Sequence, residues 1–257
     1  MPPPLSYLIG TAATIAGILL LARLFPAEAY SNRRFASSTR NYPVGIKPPS
    51  RRCRSIPPPT MAAETNTSAA AVLGGFLKFL EDEVFRKLGY LYSLRDGNLL
   101  GAVRHGGLIP GDRDLDAVLL LPLDEGLDEV RASIQTRLDA LGKPFELQVN
   151  DDGRSRWLVF LQPNTDGGPG AEPHHADIIV YPSRLFSEPI AGFDGRRVFS
   201  TRVQRAFHGL CYCRHWPLER ASCFEAAPRY LKRIYGDYSK PSSRHALGAD
   251  LLEEVYV

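Results

Sequence analysis

Hydrophobic and polar positions divide the chain into three stretches of different character. From Leu5 to Ala22 eighteen residues run without a charge (LSYLIGTAATIAGILLLA). As a helix this run reaches about 27 Å, just short of a hydrocarbon core of about 30 Å. Residues 26–67 then carry Pro26, Pro43, Pro48, Pro49 and Pro57–Pro59 among scattered Ser and Arg, with few large apolar residues. Such a stretch reads as a tether, because it buries too little surface to offset its ordering entropy. Periodic patterning begins at Ser68. Val72, Phe76, Leu77, Leu80, Val84, Leu88 and Leu91 recur at helical spacing, while Lys78, Glu81, Asp82, Arg86 and Lys87 take the other face.

Beyond that amphipathic helix the elements alternate. A loop is expected at Arg95–Asn98, followed by a short apolar stretch, Leu99–Arg104. Strands are expected over Ala117–Pro122, Phe145–Val149, Trp157–Gln162 and Asp177–Tyr181, and helices over Gly126–Leu141 and Pro228–Tyr235. Pro163–Pro173 reads as a Gly/Pro loop. The pattern predicts an α/β or α+β domain on a small mixed sheet over residues 68–257, behind a short tail (1–4), a transmembrane or signal-anchor segment (5–25) and the tether.

The N-terminal segment has two readings. It is an uncleaved single-pass anchor, or a signal peptide cut after Ala29, where Ala27-Glu28-Ala29 has the small-x-small form. The absence of a basic residue before Leu5 favours the anchor. Charge sharpens the division. Residues 1–60 hold eight basic residues and one acid, a net +7 within a whole-chain +3, which leaves −4 for the remainder. The basic character therefore belongs to the appendage, and no nucleic-acid partner is expected for the body. All eight basic residues follow the apolar run, a bias that would keep the body cytosolic. The sequon Asn66-Thr67-Ser68 has meaning only on the lumenal side.

The chemistry-bearing stretch is Gly106–Asp116, GGLIPGDRDLD, which runs straight into an apolar strand. If Asp114 and Asp116 lie on that strand, the side-chain period of two puts both carboxylates on one face, about 7 Å apart. They would repel unless a cation sits between them, and Mg²⁺ or Mn²⁺ suits oxygen ligands that also hold phosphate. The alternative is a solvated acidic turn. An EF-hand is excluded, since Ala117 and Leu123 stand where Gly and Glu are required. Asp177 heads an otherwise apolar strand after His174-His175-Ala176, and there it either binds metal or faces water at a sheet edge.

The stretch Gly97-Asn-Leu-Leu-Gly-Ala-Val-Arg-His-Gly-Gly-Leu-Ile-Pro-Gly-Asp-Arg-Asp-Leu-Asp116 resembles the signature of the LicD and fukutin family. Tyr235-Gly-Asp-Tyr238 is similar to a Y-G-D element of such domains, with Pro228, Tyr230 and Leu231 before it and His245 after it. The resemblance covers about two-thirds of the chain, residues 70–247. It implies a nucleotidyltransferase-like fold and transfer of a phospho-alditol or phosphocholine group from a CDP-activated donor to a glycan or glycoprotein. It also implies a membrane-tethered protein of the ER or Golgi lumen. By this likeness Asp114, Asp116 and Asp177 are metal ligands and Asp112 a base or outer partner. Gly97, Asn98, Gly101, Arg104, Gly107, Tyr235, Asp237 and His245 are substrate- or phosphate-binding candidates. Arg104 could equally pair with a nearby Asp, and the glycines could be turn punctuation. Gly111 and Arg113 depart from the pattern, which raises a catalytically silent scaffold as the alternative. A nucleotidyltransferase acting on a small substrate is a third reading.

Cys211, Cys213 and Cys223 lie within 13 residues, with His215 among them. A structural zinc site, free thiols and a single disulfide are all compatible with that spacing, which lacks a C-x₂-C pair. Cys53 lies in the tether and is assigned no role.

Overall fold

The computed structural model describes residues 40–63, 68–143, 145–151, 156–161, 174–183 and 206–239. The apolar run at 5–25, the sequon Asn66 and His245 lie outside the described residues. Among the described residues no helix is long and apolar enough to cross a membrane.

The first helical rod has three parts: α1 (Ser68–Phe79), a π-helical turn (Leu80–Phe85) and α2 (Arg86–Leu88). Gly89 closes it in the left-handed region, at φ 74°, where a side chain would be strained. The chain continues through β1 (Leu91–Leu94), α3 (Asp96–Arg104), β2 (Asp114–Leu121) and α4 (Leu127–Ala140). It then forms β3 (Glu146–Asp151), β4 (Arg156–Leu161), β5 (His175–Pro182), β6 (Leu210–His215), β7 (Leu218–Phe224) and α5 (Ala227–Tyr235). The result is a mixed α/β architecture. Five strands lie in the order β1-β2-β5-β4-β3, with β2 and β5 parallel and the other neighbours antiparallel. The β6–β7 hairpin forms a second sheet that packs on β1.

The large sheet buries both faces, so its strands read as near-continuous apolar runs. On one face Leu119, Leu121, Ile178, Val180, Leu158 and Phe160 meet Leu73, Phe76 and Leu77 of α1 and Val130, Ile134 and Leu138 of α4. On the other, Leu91, Val118 and Leu120 meet Ile46, Phe207, Leu210 and Phe224. Glu129 reaches back to accept from the Gly126 amide at 3.0 Å and so fixes the start of α4.

Four expectations are corrected. The helical pattern was expected to run to Leu91, but β1 begins there, and Arg95–Asn98 opens α3 instead of forming a loop. Glu81 was placed on the solvent face, yet it is fully buried. The wider π turn rotates it inward, where its carboxylate pairs with Arg86 at 2.7 Å and with the Tyr92 hydroxyl. The Tyr92 hydroxyl in turn accepts from the Ser222 amide of β7 at 3.2 Å. This network joins the rod, β1 and the second sheet.

The fourth correction concerns the tether. Residues 40–63 pack along the domain, with Ile46 buried in its core. Arg40 stacks over the Tyr90 ring at 3.9 Å and pairs with Glu125. Cys53 is disulfide-bonded to Cys211, and Arg52 bridges to Tyr212 of β6. The Glu225 carboxylate accepts from the amides of Arg54 and Ser55 at 2.8 and 2.9 Å. Further on, the Ala62 carbonyl meets the His105 ring at 2.8 Å. The folded unit therefore begins no later than Arg40, not at 68.

Candidate active site

The β2–β5 register builds the site. Asp114 and Asp116 alternate along β2, so both project from the same face. Parallel pairing sets Asp116 directly opposite Asp177 and Asp114 opposite His175. Residues opposed in this way share a face and stand about 4.8 Å apart across the strands. Four side chains thus converge at the N-terminal end of two adjacent central strands, and Asp112 reaches the cluster from the turn before β2.

Helix α3 closes one side. Gly97 faces the carboxylates so closely that a Cβ there would lie 3.2 Å from Asp112 Oδ2 and 3.5 Å from Asp116 Oδ2. Glycine at this point leaves room for the cluster. Asn98 is buried, and its Oδ1 accepts from the Asp116 amide at 2.7 Å. The expected ligand-binding role for Asn98 is therefore replaced by a positioning one: it clamps β2 to α3 at Asp116.

The carboxylates crowd one another in a partly buried place, and the acidities of three of them show it. Burial, then the charge of Asp114 and a hydrogen bond with it, push the Asp112 carboxyl up to about 7. Its Oδ2 is buried without a hydrogen-bond partner. Asp116 is raised well above the ordinary range by burial, then by Asp96, Asp114 and Asp112, with Arg95 opposing. Asp177 is also raised, chiefly by burial, while His175 pulls the other way. The His175 imidazole lies 3.7 Å from Asp177 Oδ2 and 4.0 Å from Asp114 Oδ2.

Three further residues belong to this neighbourhood that the pattern of the sequence did not single out. Arg95 is buried, and its Nε meets Asp96 Oδ2 at 2.9 Å. Burial opposes its charge, but Asp96, Tyr230 and Tyr181 together outweigh it and raise the guanidinium pKa. Asp96 has φ 40°, an uncommon backbone state for a residue with a side chain, and accepts from the Tyr230 hydroxyl of α5 at 2.5 Å. The third is His175.

Of the remaining candidates, Tyr235 is at the site: burial, then Asp96, Asp116 and Asp112, raise its hydroxyl pKa. Arg104 is not. It lies at the far end of α3, about 12 Å along the axis from Asp96. There its Nε meets His105 Nε2 at 2.9 Å and a terminal nitrogen reaches the Tyr238 carbonyl at 3.3 Å. Gly101 and Gly107 serve packing instead of phosphate. A Cβ on Gly101 would meet the Gly107 carbonyl at 2.4 Å, and one on Gly107 would meet Ala63 Cβ at 2.7 Å. Asp237 is exposed and accepts from the Ser239 amide and hydroxyl. The zinc reading is overturned. Cys211 is bonded to Cys53 and Cys213 to Cys223, which leaves no thiolate, and the buried His215 ring turns to the Trp216 carbonyl at 3.2 Å.

As the side chains stand, no group of three or more His, Cys, Asp or Glu among the described residues has metal-holding geometry. The donor set nevertheless suits a hard divalent ion. It comprises three carboxylates on two adjacent strands, with a fourth whose orphaned oxygen is buried beside them, and a cation would relieve their mutual repulsion. No protein-family model and no curated protein matches the chain.

Proposed function

We propose that the protein is a metal-dependent phosphotransferase of LicD and fukutin type, built on a nucleotidyltransferase-like sheet. In this reading it moves a phospho-alditol or phosphocholine group from a CDP-linked donor to a glycan. The observation that carries the reading is the parallel β2–β5 register, which aligns Asp116 with Asp177 beside Asp114. Two carboxylates from one strand and a third from its neighbour are what holding a cation against a diphosphate requires.

Asp114, Asp116 and Asp177 would hold Mg²⁺ or Mn²⁺, which neutralises phosphate charge and steadies the leaving group when bound. The chain's own part is placement. Asn98 fixes Asp116, the buried Arg95–Asp96 pair and Tyr230 fix the start of α3, and Tyr235 lines the site from α5. An acceptor hydroxyl oxygen attacks the donor phosphorus distal to cytidine, a new P–O bond forms, and the bond to the CMP phosphate breaks with its electron pair leaving on CMP. Asp112, beside Asp114 at the turn, is placed to receive the hydroxyl proton. The proposed setting is the ER or Golgi lumen, with residues 5–25 as the membrane anchor. Two disulfides favour an oxidising compartment over the cytosolic side that the charge bias suggested.

The test supplies the full chain with CDP-ribitol, CDP-glycerol or CDP-choline, a glycan acceptor and Mn²⁺, and measures CMP. Release that is lost in Asp114→Ala supports the reading. No release with any donor, or release unchanged in that variant, overturns it. Pyrophosphate in place of CMP would identify nucleotide transfer instead. A silent scaffold is the second reading, motivated by Gly111 and Arg113, which depart from the family pattern. Failure of the wild-type chain to bind Mg²⁺, Mn²⁺ or CDP in calorimetry would establish it.

A further inference from the structure

We propose that His175 is a nitrogen ligand in this site and biases it toward Mn²⁺ over Mg²⁺. The inference rests on the metal-dependent reading above and extends it to the choice of ion.

The placement follows from the strand. His175 is the first residue of β5 and stands opposite Asp114 across the parallel pair. It precedes Asp177 by two positions, so the strand period puts both side chains on the carboxylate face. His174 is one position out of phase, and its ring sits by the Arg113 carbonyl at 3.4 Å. The tandem histidines are therefore not equivalent, and the second alone joins the cluster.

The spacing is that of a cluster slightly too open for an ion. His175 Nε2 lies 3.7 Å from Asp177 Oδ2 and 4.0 Å from Asp114 Oδ2. Adjacent ligands of an octahedral ion with bonds of about 2.1 Å stand about 3.0 Å apart. Each gap would close by 1 Å or less, within the reach of side-chain rotation and without moving either strand. The His175 side chain is one-third exposed and the two carboxylates slightly more, so all three are open to solvent ions.

Imidazole nitrogen changes what the site selects. Mg²⁺ holds to oxygen and demands short, near-ideal octahedral bonds, whereas Mn²⁺ accepts nitrogen and tolerates a less regular shell. A site of carboxylates alone gives Mn²⁺ no such preference. One with His175 in the shell does.

The experiment uses the full chain with metal alone. Mn²⁺ and Mg²⁺ are titrated by calorimetry into wild type, His175→Gln and Asp116→Asn, and Mn²⁺-loaded wild type is examined by pulsed electron paramagnetic resonance. The expected result is ¹⁴N modulation on Mn²⁺ in wild type and its loss in His175→Gln. Mn²⁺ affinity should fall in that variant by about tenfold or more, with Mg²⁺ changed by less than about twofold. The spectrum of the wild type stands even if the variant misfolds. Absence of ¹⁴N modulation in wild type, or equal weakening of both ions in His175→Gln, overturns the ligand role while leaving the phosphotransfer reading intact. If wild type binds neither ion, both fall. Loss of both ions in Asp116→Asn with selective loss in His175→Gln supports both.

Discussion

Removing the Cys53–Cys211 bond should cost more stability than any single packing change in the domain. The bridge spans 158 residues, against 10 for Cys213–Cys223. Loop-closure entropy of the unfolded chain gives about 5 kcal/mol for the long bridge and about 3 kcal/mol for the short one at 25 °C. Domains of this size are stable by roughly 5–15 kcal/mol, so a Cys53→Ser, Cys211→Ser protein would retain only part of its margin. Part of the arm's attachment survives in the variant through Glu225, Arg40 and Ile46, so the fold itself is expected to persist at 25 °C. Urea unfolding followed by tryptophan fluorescence measures the loss, with the Cys213→Ser, Cys223→Ser protein as internal control. The long-bridge variant should have the lower midpoint, by an amount equivalent to about 2 kcal/mol. A midpoint equal to wild type would show that the arm is not covalently held. A larger loss from the short bridge would refute the entropic reasoning, since enthalpic effects would then dominate.

Asn98→Ala should lower stability by about 1–3 kcal/mol, because the Asp116 amide loses its buried acceptor. In the proposed activity it should lower kcat more than KM, as expected of a positioning residue, and an unchanged kcat would contradict that. Tyr92→Phe removes the hydroxyl shared by Glu81 and the Ser222 amide, and chemical denaturation should show a loss of about 2 kcal/mol. The loss should be smaller in a Glu81→Leu background, where one of the two buried partners is already gone. The raised carboxylates also set a pH dependence. Between about 4 and 7 the folded protein keeps the Asp112 proton that the unfolded chain has released, so stability falls as pH rises through that window in EDTA. Asp112→Asn should flatten the slope of Tm against pH, and a Tm that rises with pH across this range would contradict the assignment.

Much of the fold was legible in the sequence because burial on both faces leaves a plain signal. The runs at Ala117–Pro122, Trp157–Gln162 and Asp177–Tyr181 are apolar enough to fix three central strands, and the period of two alone placed Asp114 and Asp116 together. Other features carried no local signal. β1 follows the helical rod after a two-residue break, and its apolar residues continue the helical spacing, so only Gly89 marks the change. Glu81 lies on the polar side of a 3.6-residue wheel and is buried because the π turn breaks that wheel. The partner of Cys53 could not be read, since connectivity depends on a fold that joins positions 158 residues apart. The glycines at 101 and 107 and Arg104 look like phosphate ligands by residue type, yet tertiary contact gives them packing work. His175 carries no signal of its own beside Asp177, because its meaning lies in the register with Asp114, which no single strand reveals.

The strand order also bears on how the molecule is made. β5 is the last of the five strands in sequence, yet it occupies the place between β2 and β4. Until it arrives, a β1–β2 ribbon and a β3–β4 hairpin each present an open, apolar edge to their surroundings. From Leu161, where β4 ends, to Pro182 the ribosome adds 21 residues, which takes about 1–4 s at ordinary rates of synthesis. During that interval the nascent chain holds two unmated half-sheets, a state in which edge-to-edge aggregation competes with folding. Insertion of β5 ends the exposure and, in the same event, delivers Asp177 to its carboxylate partners. The strand that protects the chain from aggregation is the strand that completes the site, so quality control acting on the unmated edges would withhold chains in which the site has yet to form.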